Sequence, residues 1–168
     1  QRLLIGAARM PLAKIMENGL RREHALIVLI AALQGAGGVT LAAVAAHGDA
    51  SASLATASQF LMVHACAGLA LAALAAALST PPRGLIYATF ALQAGVTLFS
   101  ADLALRALGP GKLFPYAAPI GGTTTIVSWL ALALWAMIRL AKTDRDRGGE
   151  GGKPALSGGN RSRRIGED

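Results

Sequence analysis

Four long runs of apolar residues, separated by short stretches of polar residues, glycine and proline, make up most of the chain. A helix needs about 20 apolar residues to cross about 30 Å of hydrocarbon, and each run reaches that length. The runs are continuous and rich in Ala and Leu, whereas a membrane-spanning strand alternates apolar and polar residues. The pattern therefore predicts an all-α integral membrane four-helix bundle. Its predicted spans are residues 24–46, 58–78, 84–105 and 119–140.

The links between these spans are too short to hold a folded domain outside the membrane. Short links place consecutive helices side by side and antiparallel. We therefore expect one transmembrane domain over residues 24–140 and no soluble catalytic domain. Hydrophobic residues form 54% of the 168-residue chain, above the roughly 45–50% of soluble proteins. The single cysteine, Cys66, can form no intrachain disulfide, and we expect it to be a small buried residue.

Positive charge is concentrated at the two ends of the chain, which carries a net charge of +7. Lys and Arg precede the first span and follow the fourth, and Arg83 lies between the second and third spans. Because cytoplasmic segments of membrane proteins carry an excess of Lys and Arg, both termini and the Arg83 link are predicted to be cytoplasmic. An even number of spans also requires both ends on one side. This topology explains the basic composition, so we expect no nucleic-acid partner.

The two flanking segments differ from the spans in composition. Residues 1–23 combine apolar side chains with arginines and a lysine. Two interpretations stay open for them: a basic amphipathic segment on the membrane surface, or a plain topology signal. Residues 141–168 are rich in glycine and mixed charge and hold little to bury, so we expect a disordered basic cytoplasmic tail.

Each predicted span has a face of small and polar residues, which is how membrane helices associate. Gln34 and Gln93 fall near the middle of their spans, and we expect them to face the interior and bond to each other. Such bonds contribute about 0.6–2 kcal/mol. The predicted interhelical polar contacts are Gln34, His64, Gln93, Thr97, Ser100 and Ser128. The predicted close-packing positions are Gly38, Gly68, Gly121 and Gly122.

Asp102 is the only formal charge in the interior of a predicted span, since Arg139 lies at the very end of the fourth. On a helical projection it lies nearly opposite Gln93 and Thr97, so we expect it to face away from the bundle interior. Arg106 is four residues further on, within ion-pair reach. The favoured interpretation is an Asp102–Arg106 pair at the outer interface, with Arg106 reaching water. A contact with another subunit and a proton relay are the alternatives, and a relay requires an inward-facing acid.

Two histidines, His47 and His64, lie toward the outer ends of the first and second spans. Histidines at similar depth are a pattern typical of haem or metal ligation. Here no third ligand occurs at a fixed spacing. We therefore expect an interhelical hydrogen bond from His64, an interfacial role for His47, and no cofactor, metal or catalytic residue.

Four segments resemble the small four-helix membrane-protein family of unknown function typified by bacterial YgdD, which has eukaryotic transmembrane relatives. The family has a Gly/Ala-rich end to span one and an aromatic-Gln-x-x-His opening of span two. It also has a G-x-x-LFSGS-L segment and a TP-[IV]-GG…GW start to span four. The segments are AAVAAHG (42–48), FLMVH (60–64), GVTLFSADL (95–103) and APIGGTTTIVSW (118–129). The resemblance implies a multi-pass protein of the bacterial cytoplasmic (inner) membrane. It supplies no activity.

Three residues depart from the family pattern. Leu61 stands where the family has glutamine, and Ala101-Asp102 stands where it has Gly-Ser. Any polar role of that glutamine is absent here, and Asp102 is a feature of this chain.

Three function classes follow from these patterns. The favoured one is a non-enzymatic accessory subunit that packs against other membrane proteins, or against itself, within the lipid bilayer. The second is a small solute or ion transporter or channel, which needs a continuous polar path. The third is a haem or metal protein that uses His47 and His64.

Overall fold

The computed structural model describes residues 21–47, 52–109 and 111–150. These residues form helices and the links between them. The helices are α1 (Arg22–His47), α2 (Ala52–Ala77), α3 (Arg83–Leu108) and α4 (Ala117–Glu150). All four are long and apolar enough to cross a membrane. The prediction of four apolar helices is confirmed, and the chain is a multi-pass membrane protein.

Two helix boundaries differ from the predicted spans by more than three residues. Helix α2 begins at Ala52 rather than at residue 58, because its first turns contain polar residues that a hydropathy criterion leaves out. Helix α4 continues to Glu150, so residues 141–150 are helical and not part of a disordered tail. Residues 141–147 include no glycine or proline, and such a segment can extend a helix that has already formed. Residues 1–20 and 151–168 lie outside the described residues. The predicted N-terminal membrane-surface segment and the rest of the predicted C-terminal tail fall mostly in these ranges.

The bundle comprises the described residues up to Trp135, and the remainder of α4 forms a second unit. Within the bundle, α2 packs against α1 and α3, and α3 also contacts α1. The apolar core has two parts. One joins the start of α1 and α3 to the end of α2 and to α4, through Ile27, Ala72, Ala75, Leu85, Ile86, Leu92 and Leu132. The other lies toward the opposite end, at Leu54, Ala57 and Ala104.

Helix α3 is the most enclosed of the four helices. Half of the largest fully buried side chains of the described residues are polar, and all four of these are on α3. They are Thr89, Gln93, Ser100 and Asp102. Polar side chains therefore fill the interior of the bundle at several depths along this helix.

The link between α3 and α4 turns sharply at both of its ends. Gly109 (φ 107°) caps α3, with its N–H bonded to the carbonyl of Leu105 at 3.2 Å. Gly111 (φ 95°) also takes the left-handed conformation that favours glycine. Tyr116 (φ 69°) takes it without that advantage, directly before α4 begins. The link is thus held in a specific turn next to Asp102.

Candidate functional site

A layer of polar side chains crosses the middle of the bundle, and Gln34 connects α1 to α3 within it. Its Nε2 donates to the backbone carbonyl of Gln93 and to Oγ1 of Thr97, both at 2.9 Å. Thr97 Oγ1 also donates to the same carbonyl at 2.8 Å. Gln34 and Gln93 therefore lie together, but the contact is from side chain to backbone and not between two side-chain amides. Gln34 Oε1 is buried and makes no hydrogen bond.

The side-chain amide of Gln93 is completely buried, and neither its nitrogen nor its oxygen makes a hydrogen bond. Its Nε2 occupies the space beside Gly68 where a Cβ atom would stand. Gly68 also faces Ala31, whose Cβ would lie 3.2 Å from an added Cβ. The glycine on α2 is therefore required to admit the Gln93 side chain from α3.

His64 connects α2 to α4. Its Nδ1 lies 2.8 Å from the carbonyl of Phe60, and its Nε2 lies 3.4 Å from Nε1 of Trp129. A carbonyl only accepts and an indole N–H only donates, so Nδ1 carries the proton and Nε2 is the acceptor. Both ring nitrogens are engaged in this arrangement. Phe60 stacks on His64, with ring centroids 5.5 Å apart.

The two predicted serine contacts do not form between helices. Ser128 donates to the carbonyl of Thr124 in its own helix at 2.8 Å. Ser100 is fully buried, but its hydroxyl makes no hydrogen bond. A different serine makes such a contact: Ser58 on α2 donates to the carbonyl of Gly38 on α1 at 2.9 Å. Short side chains bond readily within a helix, so spacing alone does not tell which serine bonds across.

Helices α3 and α4 cross backbone against backbone at Gly95 and Gly121. A Cβ atom added to Gly121 would lie 2.5 Å from the nitrogen of Phe99 and 2.7 Å from the carbonyl oxygen of Gly95. One added to Gly95 would lie 2.9 Å from the carbonyl oxygen of Gly121. Gly122, also predicted to pack closely, would meet only the Phe99 ring at 3.7 Å, which is ordinary contact.

Gly38 marks the crossing of α1 and α2. An added Cβ atom would lie 2.6 Å from Cγ of Met62 and 3.1 Å from the carbonyl oxygen of Ser58. The Ser58 hydroxyl bonds at the same point, so close approach and a polar contact coincide. Small residues that let two backbones approach are the usual means of helix association in lipid.

Asp102 uses its two carboxylate oxygens for two different partners. Oδ2 accepts hydrogen bonds from Nε of Arg106 at 2.8 Å and from its Nη2. Oδ1 accepts the backbone N–H of Leu113 in the α3–α4 link at 2.9 Å. The backbone amide of Ala118, in the first turn of α4, also interacts with this carboxylate. Asp102 thus joins the end of α3, the link and the start of α4.

The orientation of Asp102 differs from the prediction that it faces away from the bundle. Its side chain is 0% exposed, against 37% for Arg106. It does lie on the other side of α3 from Gln93, but the link covers that side. A helical projection of α3 alone cannot show this cover. The ion pair is present, and the carboxylate, being buried within its own chain, offers no surface to another subunit.

A cavity of about 370 Å³ lies between α1, α2 and α3. Three polar residues, Gln34, Thr97 and Ser100, line it together with six apolar ones. The unpartnered oxygens of Gln34 and Ser100 are themselves shielded from the cavity space. The cavity is therefore essentially apolar and does not offer the continuous row of hydrogen-bonding groups that a solute path needs.

The described part of the chain contains no group of three or more His, Cys, Asp or Glu side chains placed to hold a metal ion. His47 ends α1 and is exposed. Because His64 already uses both ring nitrogens, ligation through it would first break its contacts with Phe60 and Trp129.

Two partners in these contacts were not identified from the sequence. Helical spacing does not indicate a partner for Trp129, although indole N–H groups regularly find a buried acceptor. The Leu113 N–H could not be found by side-chain pattern at all, because a backbone donor carries no sequence signal. Gly95 is not among the predicted close-packing positions, although it opens the GVTLFSADL segment that carries the family resemblance.

Residues 41–122 match the model of a family described as "Protein of unknown function (DUF423)". The matched range holds the end of α1, all of α2 and α3 and the first turn of α4. It therefore includes the Gly95–Gly121 crossing and Asp102, but neither Gln34 nor Trp129. No curated protein and no solved structure matches the chain.

Proposed function

We propose that this protein is a non-enzymatic accessory subunit that packs against other membrane proteins, or against a second copy of itself. We place it in the bacterial cytoplasmic membrane with both termini and the Arg83 link in the cytoplasm. The charge distribution supports this orientation. We further assign the chain to the YgdD-like family. The range 41–122 matched by the family model contains three of the four segments that carry that resemblance and the start of the fourth.

The observation that carries the accessory role is the outward face of α2. Small side chains recur on it at intervals of three and four residues, and all of them are exposed: Cys66, Ala70, Ala73 and Ala77. Cys66 was expected to be buried and is instead part of this face. Lipid chains gain little by covering small side chains, whereas another helix can approach them closely. We call these four residues the α2 outer face.

Helix α4 provides the contrast. Most of its exposed residues within the bundle are bulky, including Ile126 (62% exposed), Val127 (57%) and Leu130 (64%), although Ala131 and Ala133 are exposed as well. Lipid chains can pack well against such large apolar side chains. Helix α2 also exposes bulky side chains, such as Val63 (63%) and Leu69 (44%). Its row of small exposed residues runs over about three turns, however, and this row favours α2 as the surface that another protein contacts.

The two alternative functions have weaker support. For a transporter or channel, the candidate path residues Gln34 and Thr97 bond to each other and to a backbone carbonyl, and the neighbouring cavity is mostly apolar. For a haem or metal protein, His64 would have to give up both of its hydrogen bonds. An optical spectrum of the purified protein tests the haem alternative.

The test is purification from native membranes in a gentle detergent, followed by measurement of particle mass. We expect an assembly larger than one chain. Ala70→Leu on the α2 outer face should disrupt it, while Ala133→Leu, the same substitution at an exposed alanine on α4, should leave it intact. A particle that contains one copy of this chain alone, or an assembly that both variants leave unchanged, would contradict the proposal.

A further inference from the structure

The link between α3 and α4 exposes large apolar side chains at the end of two membrane spans. Leu113 is 44% exposed, Phe114 is 40% exposed and Tyr116 is 74% exposed. Leu108, the last residue of α3, is 54% exposed and lies next to them in the chain. Lys112 carries an exposed positive charge within the same segment. We call residues 112–116 the outer link.

We propose that the outer link is a membrane-surface anchor that inserts its apolar and aromatic side chains into the lipid headgroup region. The partner is a phospholipid surface, with Lys112 contacting lipid phosphate. The segment joins two helices that are each long and apolar enough to cross a membrane, so in a bilayer we expect it at the boundary between hydrocarbon and water. Aromatic side chains with a polar tip, such as Tyr116, are enriched at that boundary because one end is apolar and the other can stay hydrated.

The fold holds the outer link in one conformation before it meets lipid. Asp102 Oδ1 binds the Leu113 N–H at 2.9 Å, and the carbonyl of Phe114 accepts the N–H of Ala117 at 3.3 Å. The backbone of Leu113 is thereby tied to α3 while its side chain remains exposed. A segment fixed in this way loses little conformational entropy on insertion. The buried carboxylate would then position the anchor without touching lipid itself.

The link between α2 and α3 serves as an internal contrast. It reads Leu78-Ser79-Thr80-Pro81-Pro82 and offers no aromatic side chain. Thr80 is exposed there. Both links connect neighbouring spans, but only the outer link has the side chains for insertion into lipid. We therefore expect the α2–α3 link to stay in water.

The test uses nitroxide spin labels on the full chain in lipid vesicles that contain about one third anionic phospholipid. The native cysteine is replaced by Cys66→Ala, and single labels are attached through Phe114→Cys or, as the matched control, Thr80→Cys. Collisions with oxygen, which concentrates in lipid, are compared with collisions with a water-soluble nickel chelate. We expect the label at 114 to collide more with oxygen and the label at 80 to collide more with nickel.

Two further variants separate the causes. Asp102→Ala removes the oxygen that accepts the Leu113 N–H, so the label at position 114 should collide less with oxygen and more with nickel. Lys112→Gln should reduce the excess of oxygen collisions over nickel collisions at position 114 in anionic vesicles. In vesicles of neutral lipid it should change this excess little, because only a negatively charged surface attracts the Lys112 cation.

The alternative occupants give distinct results. A label at 114 that meets nickel as freely as the label at 80 would show that the link lies in water, which overturns the proposal. A label at 114 shielded from both reagents would show that protein covers the link, and this also overturns it.

Discussion

At the residue scale, the buried polar groups of this bundle fall into two kinds. The Gln34 amide nitrogen and the Asp102 carboxylate are bonded to other parts of the chain. The Gln93 side chain and the Ser100 hydroxyl are equally buried but make no hydrogen bond. A bonded group contributes to stability, whereas an unpartnered group costs free energy when it leaves water. Residue type and depth are the same for Gln34 and Gln93, so only the partners distinguish them.

The two glutamines should respond oppositely to substitution. Gln34→Leu removes both bonds from α1 to α3 and should lower the free energy of unfolding by about 0.6–2 kcal/mol. Gln93→Met keeps a similar length, removes two unpartnered polar atoms and leaves the backbone carbonyl that Gln34 uses. It should be neutral or stabilising. Unfolding in a detergent titration measures both. A marked loss of stability in Gln93→Met would show that its amide has a partner after all.

The Asp102–Arg106 pair predicts a rescue. Arg106→Gln leaves a fully buried carboxylate without its cation, so the melting temperature should fall. Adding Asp102→Asn removes that unpaired charge and keeps an oxygen that can accept from Leu113. The double variant should therefore be more stable than Arg106→Gln alone. Losses that simply add in the double variant would mean that the two side chains act independently.

At the element scale, glycines decide which helix faces meet. The hydrophobic pattern predicts four helices because length and apolar content are properties of each segment alone. It does not predict that the Gly95 and Asp102 side of α3 is covered by α4 and the link, because that cover comes from other parts of the chain. The same limit explains Gly122: helical spacing places it on a plausible face, but the partner backbone lies beside Gly121 instead. Ser128 is buried as expected, but its hydroxyl bonds to a carbonyl of its own helix.

The α3–α4 crossing can be tested with alanine. Gly95→Ala and Gly121→Ala would force a Cβ atom against backbone atoms that cannot move aside, and each should lower the free energy of unfolding by about 1–3 kcal/mol. Gly122→Ala meets only a ring at 3.7 Å and should cost little. Gly84→Ala has nothing within 4 Å and should be neutral or slightly stabilising. If all four variants unfold alike, the close crossing is not present in the membrane.

At the scale of the whole molecule, charge and span count together predict the orientation in the membrane. In a Cys66→Ala background, Thr80→Cys should be shielded in intact cells from a thiol reagent that cannot cross the membrane. Lys112→Cys, in the link at the other end of α3, should react. Permeabilised cells should label at both positions. Labelling of Thr80→Cys in intact cells, with Lys112→Cys protected, would reverse the orientation.

The central claim is that the α2 outer face meets another protein within the membrane. Photo-crosslinking in native membranes tests it most directly, with a photoreactive amino acid placed at Ala70 on α2 or, as the control, at Leu130 on α4. We expect a discrete protein adduct from position 70 and mainly lipid adducts from position 130. The adduct from position 70 should disappear when Ala73→Leu is added. Lipid adducts alone at position 70, or the same protein adducts from both positions, would contradict the claim.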